Sequence, residues 1–106
     1  MYHNRGDLYT VLYPFDDMDI EKLRPAIILE TKDNHSLVIK VTSHEERKND
    51  GGDVSIIHWK EAGLSSPSVA RCSDFVPLHH DKIKKFLGTL RPEDMINVLE
   101  KIYRDK

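Results

Sequence analysis

Arg24-Pro25-Ala26-Ile27-Ile28-Leu29 places a cation and a proline directly before four consecutive apolar residues. The run reads as a buried strand over about 25 to 31. Proline has no N–H to give to a ladder and belongs at a strand's first residue or on an edge, so Arg24 becomes the last loop residue or the first strand residue. A guanidinium at the mouth of a rigid element can meet an anion without the entropy cost of ordering a floppy tip.

Outward from that stretch the pattern stays mostly β. Upstream, Gly6-Asp7-Leu8-Tyr9-Thr10-Val11-Leu12-Tyr13-Pro14-Phe15 alternates as a half-buried strand over 7 to 14 and stops at Pro14. Asp16-Asp17-Met18-Asp19-Ile20-Glu21-Lys22 then reads as an acidic loop. Downstream, Asp33-Asn34 is a turn into a third strand at about 36 to 42, which makes the pair a hairpin. Asn49-Asp50-Gly51-Gly52 is the strongest turn signal, with a short strand at 54 to 57 after it. Trp59 to Gly63 suits one helical turn ended by glycine. Residues 68 to 75 return to extended structure, and 82 to 90 hold a short helix or turn and a last strand.

The clearest helix runs from Pro92 to Tyr103. Pro92 suits the first helical position, Glu93 and Asp94 favour the positive end of the dipole, and Lys101 and Arg104 sit near the negative end. Met95, Val98, Leu99 and Ile102 recur at helical spacing as one apolar face, while Ile96 and Tyr103 form a smaller stripe that either meets a partner or finishes the core. Several short strands and a terminal helix imply a compact, mainly antiparallel barrel.

The 106 residues fit one domain, 1–106, with no repeat or linker. A chain this short buries a modest fraction of its surface, so dimerisation would help stability. No apolar stretch is long enough to span a bilayer and the N-terminus has no signal-peptide core, so a cytoplasmic protein is expected. The lone Cys72 forms no intrachain disulfide and reads as a small buried apolar residue. The six histidines show no close ligand spacing beyond His79-Asp81, so neither a metal nor another cofactor is expected. P-loop, dinucleotide and serine-elbow motifs are missing. With 16 Lys and Arg against 18 Asp and Glu, the net charge is −2. That argues against coating nucleic acid by charge alone but leaves room for a local basic groove with stacking partners. Lys40, Arg47, Lys48, Arg71, Lys82, Lys84 and Lys85 could supply it, although Glu45 to Asp50 reads first as a solvated loop.

The order Gly-Asp, strand, Pro-Phe, acidic loop, Arg-Pro, apolar strand resembles the MazF/PemK family of toxin ribonucleases from bacterial toxin-antitoxin pairs. Lys40-Val41-Thr42-Ser43 looks like that family's strand ending in Thr-Ser. Pro67-Ser68-Val69-Ala70-Arg71-Cys72 looks like its Pro-Ser-Val-x-Arg strand, and Leu87-Gly88-Thr89-Leu90-Arg91-Pro92-Glu93-Asp94 resembles its turn into the C-terminal helix. The matches run from Gly6 to about Ile102. Two stretches depart from the pattern: Lys40 replaces a common proline, and Val76-Pro77-Leu78 replaces an Arg-Thr pair.

The resemblance implies an SH3-like antiparallel β-barrel with short helices and a C-terminal helix, MazF/PemK/CcdB-like, assembled as a homodimer. It also implies a metal-independent, sequence-selective endoribonuclease that cleaves single-stranded RNA, arrests growth and is neutralised by a cognate antitoxin. The products would be a 2',3'-cyclic phosphate and a 5'-hydroxyl. Arg24 and Thr42 would be catalytic, Arg24 stabilising the phosphorane or moving a proton and Thr42 holding the phosphate. Arginine's pKa makes it a poor proton donor, which favours the electrostatic role. Glu21, Ser43, His44 and Arg71 are the further substrate-binding candidates. His44 titrates near neutrality and falls on the face of Thr42 if the strand continues, or else is an exposed loop residue. Glu21 accepts a proton or orients Arg24, with Asp19 its rival. The other function class is a non-catalytic binding module of the same barrel type, such as a gyrase-inhibiting toxin.

Overall fold

The computed structural model describes residues 3–15, 18–43 and 52–104, without the side chains of 14, 15, 18–21 and 104. Six antiparallel strands make one sheet: β1 (Asp7–Phe15), β2 (Met18–Lys32), β3 (His35–Thr42), β4 (Asp53–Ile56), β5 (Ser68–His79) and β6 (Ile83–Thr89). A 3₁₀ turn (His80–Lys82) precedes β6, and α1 (Pro92–Arg104) is the last element and the one α-helix among the described residues. The strand order is β4-β5-β3-β2-β1-β6. The fold is mainly β with a C-terminal helix, as the strand pattern implied. The expected barrel is left open among the described residues, because β4 and β6 lie at opposite edges of that order.

The sheet is apolar on both sides. Alternation along the strands sends Leu8, Ile27, Leu29, Ile39, Val41, Ala70 and Cys72 to one side, where they form a core with Ala62, Leu64, Leu90 and Val98. Met95, Leu99 and Ile102 pack against that core, so the apolar stripe of α1 lies as its spacing indicated. Val11, Tyr13, Ala26, Ile28 and Val38 go to the other side and meet Leu78 and Ile83. Ile96 and Tyr103 remain exposed and take no part in the core. Cys72 is buried, in keeping with its apolar reading.

Strand boundaries differ from the sequence reading most around Arg24. β1 does not stop at Pro14: its ladder with β2 continues through Pro14 and Glu21, then shifts register before Phe15 and Met18. From Met18 onward the expected acidic loop is strand, and Arg24 lies within β2, paired with Val11. Pro25 is tolerated mid-strand because β2 has two different neighbours there. Its ladder with β1 runs on past Thr10 and Pro25, whereas its ladder with β3 ends at Ala26 and Lys40. The missing N–H therefore falls where the third strand stops pairing.

Candidate functional site

Where β3 and β2 part, their register places Arg24 beside Thr42. Ala26 is the partner of Lys40, and continuing that antiparallel register by two residues sets Arg24 opposite Thr42. Both line a pocket of about 350 Å³ together with Pro25, Val41, Ser43 and Leu64. Ser65, Ser66 and Ser68 complete its wall. The lining thus offers one guanidinium and five hydroxyls, with no carboxylate or imidazole among the described residues. Such a set receives an anion: the cation supplies charge, and each hydroxyl turns its proton toward an oxygen. Half-buried Arg24 also gives one Nη1 bond to the Leu23 carbonyl at 3.2 Å, so its base is steadied by its own strand.

The serine wall is built by a turn that the sequence partly revealed. After β4 the chain makes one helical turn, closed by the Ala62 amide donating to the His58 carbonyl at 3.2 Å. Gly63, at φ +89°, then reverses it. The Gly63 amide bonds Lys60 O and the Leu64 amide bonds Trp59 O, each at 3.1 Å, which is the paired closure typical of a glycine-terminated helical turn. Leu64 is buried below the pocket, and Ser68 Oγ donates to the Ser66 carbonyl at 2.9 Å, joining the loop to the start of β5. Residues 65 to 68 read as mere loop in the sequence. A run of three serines around Pro67, next to the Pro-Ser-Val strand, was the available signal for a hydroxyl wall.

The other candidates divide. Ser43 lines the pocket; Arg71 does not. Arg71 is 8% exposed on β5 and its Nη1 lies 3.5 Å from Asp53 Oδ2, a cross-strand pair that β4 and β5 hold in register. His44, the Arg47-Lys48 run and the turn at 49–51 lie outside the described residues. So do the side chains of Glu21 and Asp19, although the backbone of Glu21 pairs with Pro14. Lys82, Lys84 and Lys85 belong to the 3₁₀ turn and β6. His79 and Asp81 pair with each other at the surface, where the His79 bond holds the Asp81 carboxyl below its ordinary pKa.

Pairing also shows what surrounds Arg24 on its side of the sheet. Directly paired residues share a side, so Tyr13, Lys22, Arg24, Lys40 and Arg71 project the same way, opposite the face that α1 covers. Lys40 Nζ stands 5.5 Å from the Tyr13 ring centre, and the Tyr13 hydroxyl donates to the Asp74 carbonyl at 2.8 Å. That carbonyl is available because β5 bulges: Ile39 pairs with Phe75 but Lys40 with Arg71, leaving 72–74 extra. Tyr13 and Arg71 are buried, so the accessible part of this side is cationic, carried by Lys22, Arg24 and Lys40, on a chain of net charge −2.

Several solved structures share this architecture. The Mycobacterium tuberculosis toxin MazF-mt6 superposes with a TM-score of 0.73 at 18% identity, over 92% of this chain and 93% of its own. An endoribonuclease in complex with its cognate antitoxin, from a mycobacterial species, gives 0.73 at 14% identity over 97% and 93%. The MazE-MazF structure from Deinococcus radiodurans gives 0.69 at 14% over 96% and 94%. These identities establish a shared fold. No curated protein sequence matches the chain significantly. The sequence itself carries the assignment: the family model for PemK-like, MazF-like toxins of type II toxin-antitoxin systems matches residues 4–104, and the chain belongs to that family.

Proposed function

We propose that this chain is the growth-arresting toxin of its pair and acts as a metal-independent, sequence-selective endoribonuclease on single-stranded RNA. The observation that carries this is the meeting of Arg24 and Thr42 in one pocket walled by hydroxyls. Similar structures bear the name endoribonuclease, one of them bound to its antitoxin, which supports the same reading.

The chemistry suits that pocket. The RNA 2'-hydroxyl attacks the neighbouring phosphorus, the new P–O bond closes a five-membered ring, and the bond to O5' breaks. The 2'-proton must leave and O5' must gain one, so the products are a 2',3'-cyclic phosphate and a 5'-hydroxyl. Between them lies a phosphorane with extra negative charge on its free oxygens. Arg24 is placed to stabilise that charge, and Thr42 and Ser43 to hold a phosphate oxygen. No step in this sequence requires a metal. Proton transfer falls to Glu21 and His44 as the candidates flanking Arg24 and Thr42 in sequence, since arginine holds its proton too tightly. Lys22 and Lys40, on the same side of the sheet as Arg24, offer further positive charge to adjoining phosphates.

The partners follow from the same site: single-stranded RNA in the cytoplasm, where messenger RNA is found, and an antitoxin whose acidic segment competes for the cationic face. No helix among the described residues is long and apolar enough to cross a membrane. A homodimer fits the apolar side chains left outside the core, Leu23, Phe75, Phe86, Ile96 and Tyr103 among them. The deciding experiment incubates wild type and Arg24→Ala with a long, weakly structured RNA in excess EDTA, maps the ends, and measures the mass of the same preparation by sedimentation equilibrium. Discrete cuts by wild type alone with cyclic-phosphate ends, from a species of twice the chain mass, are expected. A folded wild type that leaves the RNA intact would refute the ribonuclease and favour a non-catalytic binding module.

A further inference from the structure

We infer that Asp94 is a positioning residue for the pocket: by gripping the chain at residues 57 and 58, its carboxylate sets where the serine wall stands against Arg24 and Thr42. The inference rests on the ribonuclease reading and adds to it a residue some distance along the chain from the pocket lining.

Asp94 is only 1% exposed although it lies in the first turn of α1. Burying a carboxylate is costly unless both oxygens find donors. Here Oδ1 accepts from the Ile57 amide and Oδ2 from the His58 amide, each at 2.9 Å. Favouring the helix dipole would need no such burial, since an exposed first-turn carboxylate does that already. The grip falls where side-chain packing is weakest: Ile57 is 64% exposed, so its own side chain does little to hold the backbone there.

Six residues later the same segment is held at its other end. A Cβ on Gly63 would meet the Leu87 carbonyl oxygen at 2.1 Å, so the turn lies directly against the backbone of β6. Between these two anchors runs the turn at 59–62, and Leu64, Ser65 and Ser66 follow it into the pocket, tied back to it by the Leu64 amide on the Trp59 carbonyl at 3.1 Å. Two surface pairs join the same parts, His58 Nε2 with Glu93 Oε2 at 2.8 Å and Arg91 Nε with Glu61 Oε2 at 3.3 Å. Both involve partly exposed groups screened by water, and they stabilise less than the buried carboxylate. Release of residues 57 and 58 therefore loosens the chain at Trp59, whose carbonyl holds the Leu64 amide at the head of the wall, while Ser68 still holds its far end.

The test is a double-mutant cycle on a short single-stranded RNA containing the wild-type cut site, with hydrogen exchange of the Leu64 amide followed in parallel. Asp94→Asn keeps the shape but turns one acceptor into a donor facing an N–H. If the hydroxyls hold the phosphate equally in ground and transition states, losing their alignment raises KM about tenfold and leaves kcat within about threefold. Ser65→Ala/Ser66→Ala should do the same. Adding Asp94→Asn to that pair should cost no more than about twofold further, because the two changes remove one contribution. Glu93→Gln should leave KM unchanged. Effects that multiply, to about a hundredfold in the triple variant, would show that Asp94 acts elsewhere, and an unaltered KM in Asp94→Asn would overturn the inference outright. Should Asp94→Asn not fold, Ile57→Pro, which deletes one of the two N–H donors and leaves the carboxylate intact, takes its place in the cycle. A wild type that cuts no RNA would sink the ribonuclease reading alone; the grip is then decided by exchange at Leu64, which Asp94→Asn must accelerate.

Discussion

In the proposed cleavage reaction, the shape of the cation at position 24 matters as much as its charge. A guanidinium presents a planar fork that can span two phosphorane oxygens, whereas an ammonium is a mobile point charge. Arg24→Lys keeps the charge and a long apolar stem in a half-buried strand position, so thermal stability should be unchanged within a degree or two. Cleavage should fall by about ten- to hundredfold, in line with losing one well-aimed donor to a developing anion. Single-turnover rates on a defined RNA give the answer, and a lysine variant within about twofold of wild type would reduce the role of Arg24 to bulk attraction. Arg24 and Thr42 stood out in the sequence through the resemblance of the Arg-Pro and Thr-Ser motifs to one family, although Arg24 lies inside the fifteen-residue β2 and not at its mouth. Two other roles did not stand out. Arg71 sits in a strand motif like any surface arginine, and its burial depends on Asp53, eighteen positions earlier and one strand away. Asp94 looks like an ordinary helix-start carboxylate until β4 delivers two free amides to it.

The elements show the same division between local and distant causes. The helix was readable almost to the residue, since Pro92, the acidic first turn and the apolar spacing are all local signals. Strand length was not, because it depends on neighbours. Fifteen residues of β2 form one strand because β1 continues to pair with it beyond the point where β3 has left. A proline and an acidic stretch are loop signals only when no partner strand accommodates them. The bulge of 72–74 has the same origin, and it leaves the Asp74 carbonyl to accept from the buried Tyr13 hydroxyl. The helix's own contribution can be weighed through Val98, which is 0% exposed at the centre of the core beneath α1. Val98→Asp puts an unpaired charge there, at a cost of about 3–5 kcal/mol, a large part of the roughly 5–15 kcal/mol typical of a domain. Circular dichroism should show loss of the cooperative transition or a fall in Tm of more than about 15 °C. A normal melt would mean that this face of α1 does not carry the core.

Over the whole molecule, the N-terminal segment ties the far side of the sheet together and makes its stability depend on pH. His3 is buried against Tyr9 and His80, with ring centres 4.9 and 4.6 Å away, and its Nδ1 has no hydrogen-bond partner. Its carbonyl accepts from Thr31 Oγ1 at 2.6 Å, and Thr31 Oγ1 in turn meets Ser36 Oγ, which lies 3.3 Å from His80 Nε2. One segment therefore links β2, β3 and the 3₁₀ turn. Burial, first, and the neighbouring His80, second, push the His3 pKa below its ordinary 6.5, while Asp7 opposes them weakly. The unfolded chain then takes up a proton near pH 6.5 that the folded chain still refuses. Between 6.5 and the lower folded value the unfolded state binds more protons, so stability rises with pH across that window and is lost as pH falls through it. Chemical denaturation at closely spaced pH values between about 5 and 7 should show this slope in wild type. His3→Phe preserves a ring edge against Tyr9 and has nothing to protonate, so its slope should be shallower, with the largest gain over wild type at the acid end. Parallel curves for the two proteins would mean that His3 titrates alike in the folded and unfolded chains, and the acid sensitivity would then have to come from groups outside this segment.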